Sequence, residues 1–116
     1  MSRQALGQTG EDLACTFLSR QGWRVVDRNV RWRDGEIDLI VTRDGVLAFV
    51  EVKTRRSRAF GTPAEAVTHR KAARIRSLAA RWLSEHKVSV RTVRFDVIDV
   101  LASGDAFKVT HLEGAF

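Results

Sequence analysis

Two residues near the middle of the chain, Asp44-Gly45, do most to limit what it can fold into. They separate EIDLIVTR (36–43) from VLAFVEVK (46–53), two runs rich in apolar and β-branched residues. Asp-Gly between such runs is the signature of a two-residue hairpin turn, whose central positions both need a positive φ. With Asp44 and Gly45 as the loop, Arg43 faces Val46, and each step back along one strand is matched by a step forward along the other. Asp38 then faces Glu51, and Glu36 faces Lys53. Side chains two apart on a strand share a face, so these four form a square on one face of a sheet. Opposed Cβ atoms in such a pair lie roughly 4.5–5.5 Å apart. Ile37, Leu39, Val50 and Val52 fall on the other face, toward a core. Ile40, Leu47 and Phe49 surround the polar square on its own face.

The rest of the chain supplies cover for this hairpin. Residues 3–21 carry Leu6, Leu13, Ala14, Phe17 and Leu18 on one helical face; Ser2, or Thr9 with Asp12, caps the start and Gly22 ends the helix. Residues 24–32 (RVVDRNVRW) read as a strand. A basic loop, TRRSRAFGT, spans 54–62. Thr62-Pro63-Ala64-Glu65 opens a helix that runs to about 86 with a break near Thr68, and Ile75, Leu78, Ala79, Trp82 and Leu83 form its apolar face. Strands follow at 92–100 and 106–112, around a Ser103-Gly104-Asp105 turn. The expected fold class is α/β in the order αβββαββ. At 116 residues the chain is one domain, 1–116, by size. A hydrophobic content of 44% suits a packed core and not disorder.

Several classes are excluded early. Cys15 is the single cysteine, so neither an internal disulfide nor a multi-cysteine zinc site can form. His69, His86 and His111 lack ligand spacing. No apolar run approaches the roughly 18 residues of a membrane span, and the first residues lack the apolar stretch of a secretory leader. A cytoplasmic protein with no membrane partner is expected. Lys and Arg number 20 against 14 Asp and Glu, a net charge of +6, and a basic small domain attracts polyanions. Between Val50 and Arg81 basic residues outnumber acids by nine to two. Arg55, Arg56 and Arg58 follow the third strand directly, and Arg70, Arg74 and Arg81 share one helical face. This is a phosphate-contact pattern, which positions a nucleic acid without reading its bases. A solvated helix face is the plainer account of Arg76 and Arg81. Trp23 and Trp82 read as core residues, and Trp32 as a half-buried strand residue.

The polar square carries the chemistry. Two opposed carboxylates repel unless a positive charge lies between them. A hard divalent cation supplies it: Mg²⁺ takes oxygen ligands from one or two carboxylates and keeps several waters. Such an ion polarises a phosphoryl oxygen and lowers the pKa of a bound water. Lys53, beside that water, can orient it and neutralise charge developing on the phosphate. The plainer account is a pair of salt bridges on a solvated sheet face. The apolar neighbours weigh against it, because clustered carboxylates in a partly apolar setting mark sites.

Asp38, then twelve residues, then Glu51-Val52-Lys53 resembles the PD-(D/E)xK nuclease motif, with Ile37 in place of its proline. The longer strings GEDLA (10–14), GEIDLI (35–40), FVEVKTR (49–55), FGTPAEAV (60–67) and RFDVI (94–98) resemble the bacterial YraN-like family of small uncharacterised proteins over nearly the whole chain. That family is similar to the archaeal Holliday junction resolvases. The resemblance implies a restriction-endonuclease-like fold, a mixed five-stranded sheet flanked by helices. It implies a Mg²⁺- or Mn²⁺-dependent endonuclease that hydrolyses phosphodiester bonds in DNA, branched DNA included. Asp38 and Glu51 would be metal ligands together with the Val52 carbonyl, and Lys53 would position the attacking water. Glu11, in GEDLA, matches a first-helix glutamate that often joins such sites; an acid favoured by the helix dipole is its other reading. Arg55, Arg56, Arg58, Arg70 and Arg74 would hold DNA phosphates. A homodimer and a helicase or recombination partner stay open. The competing expectation is a non-catalytic nucleic-acid-binding module that keeps this fold and recruits a partner enzyme. A third is a structural adaptor that binds neither metal nor DNA.

Overall fold

A computed structural model describes residues 2–56 and 67–116. Its elements are α1 (Arg3–Arg20), β1 (Arg24–Trp32), β2 (Gly35–Arg43), β3 (Val46–Arg55), α2 (His69–Glu85), β4 (Thr92–Ser103) and β5 (Ala106–Leu112), the expected order. The strands form one mixed sheet in sequence order. Its pairs are antiparallel except β3 with β4, which run parallel. A parallel pair needs a crossover, and α2 lies in it.

Local chemistry accounts for the boundaries. Ser2 Oγ accepts from the Ala5 N–H at 3.0 Å, so Ser2 caps α1, and Thr9 does not. Gly22, at φ +88°, ends the helix, and the N–H groups of Trp23 and Gly22 donate back to the carbonyls of Leu18 and Ser19. Thr68 caps α2 by accepting from the Lys71 N–H at 3.2 Å. The expected start at Thr62-Pro63 lies outside the described residues. Asp44 and Gly45 have φ values of +50° and +80°, the primed turn that two-residue hairpins prefer. β3 and β4 each run past their expected ends: the parallel ladder carries β3 to Arg55 opposite Leu101, and pairing with β5 carries β4 on to Ser103.

A helix covers each face. Ala14 and Leu18 of α1 pack with Leu39, Val41, Ala48, Val50, Ile98 and Val100. Ile75, Leu78, Ala79 and Trp82 of α2 pack with Ile37, Ile40, Leu47, Phe49 and Phe95. α1 crosses β3 so closely that a Cβ on Gly10 would stand 1.9 Å from Thr54 Oγ1. That glycine sets the height of the helix above the sheet, and with it the position of Glu11. No helix among the described residues is long and apolar enough to cross a membrane.

One expected face assignment is corrected. Ile37 packs on the α2 side with Ile40, and not on the α1 side with Leu39 and Val50. Ile37 and Ile40 are three apart, so strict alternation breaks between them. Opposite this break, Asn29 on β1 has a left-handed φ of +53°, a conformation Asn tolerates better than most residues. The β1/β2 register passes over Asn29 and Asp38, joining Arg28 to Leu39 and Val30 to Ile37.

Candidate functional site

The β2/β3 ladder follows the expected register from Arg43–Val46 to Leu39–Val50 and then stops. Beyond that point β3 continues beside β4 while β2 turns away. The Asp38 carboxylate fills the gap: its Oδ2 accepts the Val52 N–H at 2.8 Å, where a ladder carbonyl would otherwise have been. Glu51, almost buried, reaches across to α2 and meets Lys71 Nζ at 2.5 Å. The splayed end of the hairpin therefore gathers Asp38, Glu51 and Lys71. Two adjoining recesses of about 470 and 830 Å³ share Glu36 and these three side chains. Thr68, Arg70 and Arg74 of the α2 start wall the first. Leu6, Gly7 and Glu11 of α1 wall the second, with the end of β3.

Charge is unbalanced here. Burial pushes the Asp38 carboxyl up to about 7, and the Glu51 carboxylate adds to this; the Val52 N–H pulls the other way and does not prevail. Glu11 and Glu36 push in the same upward direction. Glu11 itself is raised by burial, against Arg28 and a hydrogen bond from Asn29. Its buried Oε1 has no hydrogen-bond partner, and Arg28 Nε stands 3.9 Å away. Carboxylate oxygens are the donors that Mg²⁺ and Mn²⁺ prefer. Among the described residues no group of three His, Cys, Asp or Glu is close enough to hold an ion alone. The Asp38–Glu51 pair instead fits an ion that keeps most of its waters.

The other expected residues divide. Lys53 is exposed and lines the second recess beside Glu51 and Val52. It does not face Glu36 in a closed square, because the strands have parted; Glu36 accepts from Arg31 Nε at 3.1 Å. Arg55 is a correction. It belongs to β3 and not to the basic loop, only 8% of its side chain is exposed, and its Nε donates to buried Asp99 at 3.1 Å. A guanidinium committed to an interior carboxylate is not available to a phosphate backbone. Arg56 is exposed at the recess edge, Arg70 and Arg74 line it from α2, and Arg58 lies outside the described residues. Arg76 lies over the Phe95 ring and Arg81 pairs with Asp34, as the plainer account had it. Sequence reasoning missed Lys71, which counted only as one more basic residue. Its signal was faint: His69, Arg70 and Lys71 crowd a first turn without an acid. The helix dipole disfavours cations there, by about 0.3–1 kcal/mol each.

Residues 10–100 match the profile of the Uncharacterised protein family UPF0102, a span running from Gly10 of α1 to Val100 of β4. A UPF0102 protein of Beutenbergia cavernae is 54% identical over 115 residues, covering 97% of each chain. A second, of Frankia casuarinae, is 50% identical over 116 residues, covering 99% of this chain and 98% of its own. A third, of Trichlorobacter lovleyi, is 46% identical over 115 residues, covering 97% and 91%. With a matched profile over most of its length and relatives this similar end to end, the chain belongs to family UPF0102.

Proposed function

We propose that this protein is a divalent-metal-dependent nuclease that hydrolyses phosphodiester bonds in DNA, on a restriction-endonuclease-like fold. The observation that carries the reading is the meeting of Asp38 and Glu51 at the splayed hairpin end, with Asp38 raised to about 7 by burial and by the Glu51 carboxylate beside it. Lys53 at the rim and Arg70 and Arg74 on the opposite wall support it.

Asp38 and Glu51 would hold the ion, aided by the Val52 carbonyl, with Glu11 as an accessory acid. A bound Mg²⁺ or Mn²⁺ supplies Lewis-acid polarisation of the phosphate and a water of lowered pKa. Lys53 orients the attacking water and donates to the phosphoryl oxygens as charge builds on them. Arg56, Arg70 and Arg74 hold the flanking phosphates. Water oxygen bonds to phosphorus and gives up a proton to solvent, the bond to the leaving sugar oxygen breaks, and that oxygen takes a proton from solvent.

The test is a cleavage panel of linear duplex, single-stranded, flapped and four-way DNA with Mg²⁺, Mn²⁺ or a chelator. Metal-dependent cleavage of at least one substrate, lost in Asp38→Asn and Glu51→Gln, is expected; preference for the four-way substrate would extend the reading to branched DNA. Binding without cleavage of any of them would replace it with the non-catalytic module. One observation favours that second reading: Lys71 already neutralises Glu51, and no three-donor group stands ready among the described residues.

A further inference from the structure

Lys71 is poorly explained by stability alone. It stands in the first turn of α2, next to Arg70 and on a helix end with no acidic residue. The dipole there opposes a cation, and its neighbours repel it. Yet its ammonium meets a carboxylate that is almost buried, while 43% of its own side chain stays exposed to the recess. Glu51 thus has a cationic partner supplied by the protein, and Asp38 beside it has none among the described residues. The helix cap that orders this turn uses the Lys71 backbone N–H and not its side chain.

We infer that Lys71 is a built-in counter-ion that competes with the divalent cation for Glu51, and that a DNA phosphate releases it. The inference deepens the nuclease reading and rests on it. A divalent cation at Glu51 would stand close to the Lys71 ammonium, and like charges at that range repel. The cation is therefore bound more tightly when the lysine retracts. Its exposed stem allows that movement, and the wall beside it, with Arg70 and Arg74, is where a phosphate would lie. A phosphate offers the ammonium a second anionic partner. Metal and DNA binding are then positively coupled, and by linkage each raises the affinity of the other by the same factor. Free protein holds metal weakly, and the site assembles on its substrate. Lys71 acts here as a positioning residue, distinct from Lys53 at the recess rim.

The experiment is calorimetric titration of the whole protein with Mn²⁺ and Mg²⁺, at low ionic strength and without DNA. Lys71→Met removes the charge and keeps the stem; Lys71→Arg keeps a charge; Glu51→Gln removes the disputed carboxylate. Lys71→Met should bind Mn²⁺ about fivefold or more tightly than the natural protein, and Lys71→Arg should not. A short DNA duplex, added in a Lys53→Ala background to prevent cleavage, should tighten Mn²⁺ binding severalfold. Adding Lys71→Met to that background should abolish the effect. Melting temperatures confirm that the variants are folded. Equal or weaker metal binding by folded Lys71→Met, or equal tightening by DNA with and without Lys71, overturns the inference and leaves the metal site standing. No metal binding by any of the proteins, natural chain included, overturns both.

Discussion

Two aspartates of the sheet behave in opposite ways. Asp96 on β4 is fully buried, yet its carboxyl is held down at about 2. Burial alone would raise it, but it accepts from Arg94 Nε and Nη2 at 2.9 Å each, from the Gly114 N–H at 2.9 Å, and lies 2.8 Å from His111 Nε2. Asp38 on β2 is only half-buried, has one N–H donor, and is driven up to about 7. Desolvation opposes both charges; partners decide the outcome. Asp96 closes the fold, joining β4 to β5 and to the turn after it. Asp38 opens toward a recess and has no ion-pair partner among the described residues. A carboxylate satisfied by its own chain is structural, whereas one left wanting a cation marks a site.

The largest expected effect is on the satisfied side. Asp96→Ala leaves Arg94 and His111 without their buried carboxylate partner, which should cost about 3–5 kcal/mol of stability by denaturant unfolding. Asp38→Asn keeps an oxygen for the Val52 N–H and removes the repulsion with Glu51. It should leave metal-free stability within about 0.5 kcal/mol of the natural protein, or raise it. Equal losses in the two variants would erase the distinction. Lys53→Ala applies the same contrast to catalysis. A group that touches the developing charge should cost on the order of 10²–10³ in cleavage rate, with DNA affinity and melting temperature nearly unchanged. Near-normal cleavage by the folded variant would remove Lys53 from the mechanism.

The pH dependence separates the two carboxylates by sign. Folding lowers the Asp96 pKa, so its contribution is present above about 3.8 and is lost as pH falls toward about 2. Folding raises the Asp38 pKa, so its contribution to metal-free stability is present below about 3.8 and is lost as pH rises toward about 7. In the metal-free protein, Asp38→Asn should therefore gain on the natural chain as pH rises through that window. A melting-temperature difference that stays flat from about pH 4 to about pH 8 would mean that Asp38 does not carry the strain.

Asp38 and Glu51 meet beyond the end of the ladder and not as the facing pair that the turn implied, but element order and the β2/β3 register from Arg43–Val46 to Leu39–Val50 were legible in the residues. They follow from short-range rules: a two-residue turn at Asp44-Gly45, a period of two along strands, and a period near 3.6 along α2. What was not legible depends on contacts distant in the chain. Asn29 takes a left-handed φ on β1 opposite the place where the alternation of β2 breaks and Ile37 goes to the other face. Arg55 follows FVEVKT into the interior because β3 lengthens along β4, where Asp99 waits for it. Lys71 joins Glu51 only once α2 lies across the sheet. Composition marked Arg55 and Lys71 alike as basic residues near the motif; the β3/β4 pairing brings Arg55 to buried Asp99, and the packing of α2 brings Lys71 to Glu51.

The smallest expected effect tests that last division. Arg70 is exposed in the first turn of α2 and lines the recess with Arg74. If it holds a DNA phosphate, Arg70→Ala should weaken binding about equally for every sequence and lower the salt slope by roughly one. Protein stability should not fall. Removing a cation from the positive end of a helix relieves an unfavourable interaction of about 0.3–1 kcal/mol at low salt, so the melting temperature should hold or rise slightly. Arg55→Ala makes the opposite prediction: it strands buried Asp99 and should reduce stability well before any effect on DNA is seen. Measuring the salt dependence of DNA binding and the melting temperature on both variants decides which arginine serves the fold and which the ligand. A stability loss in Arg70→Ala, with an unchanged salt slope, would move Arg70 to the structural side and leave Arg56 and Arg74 to hold the phosphates.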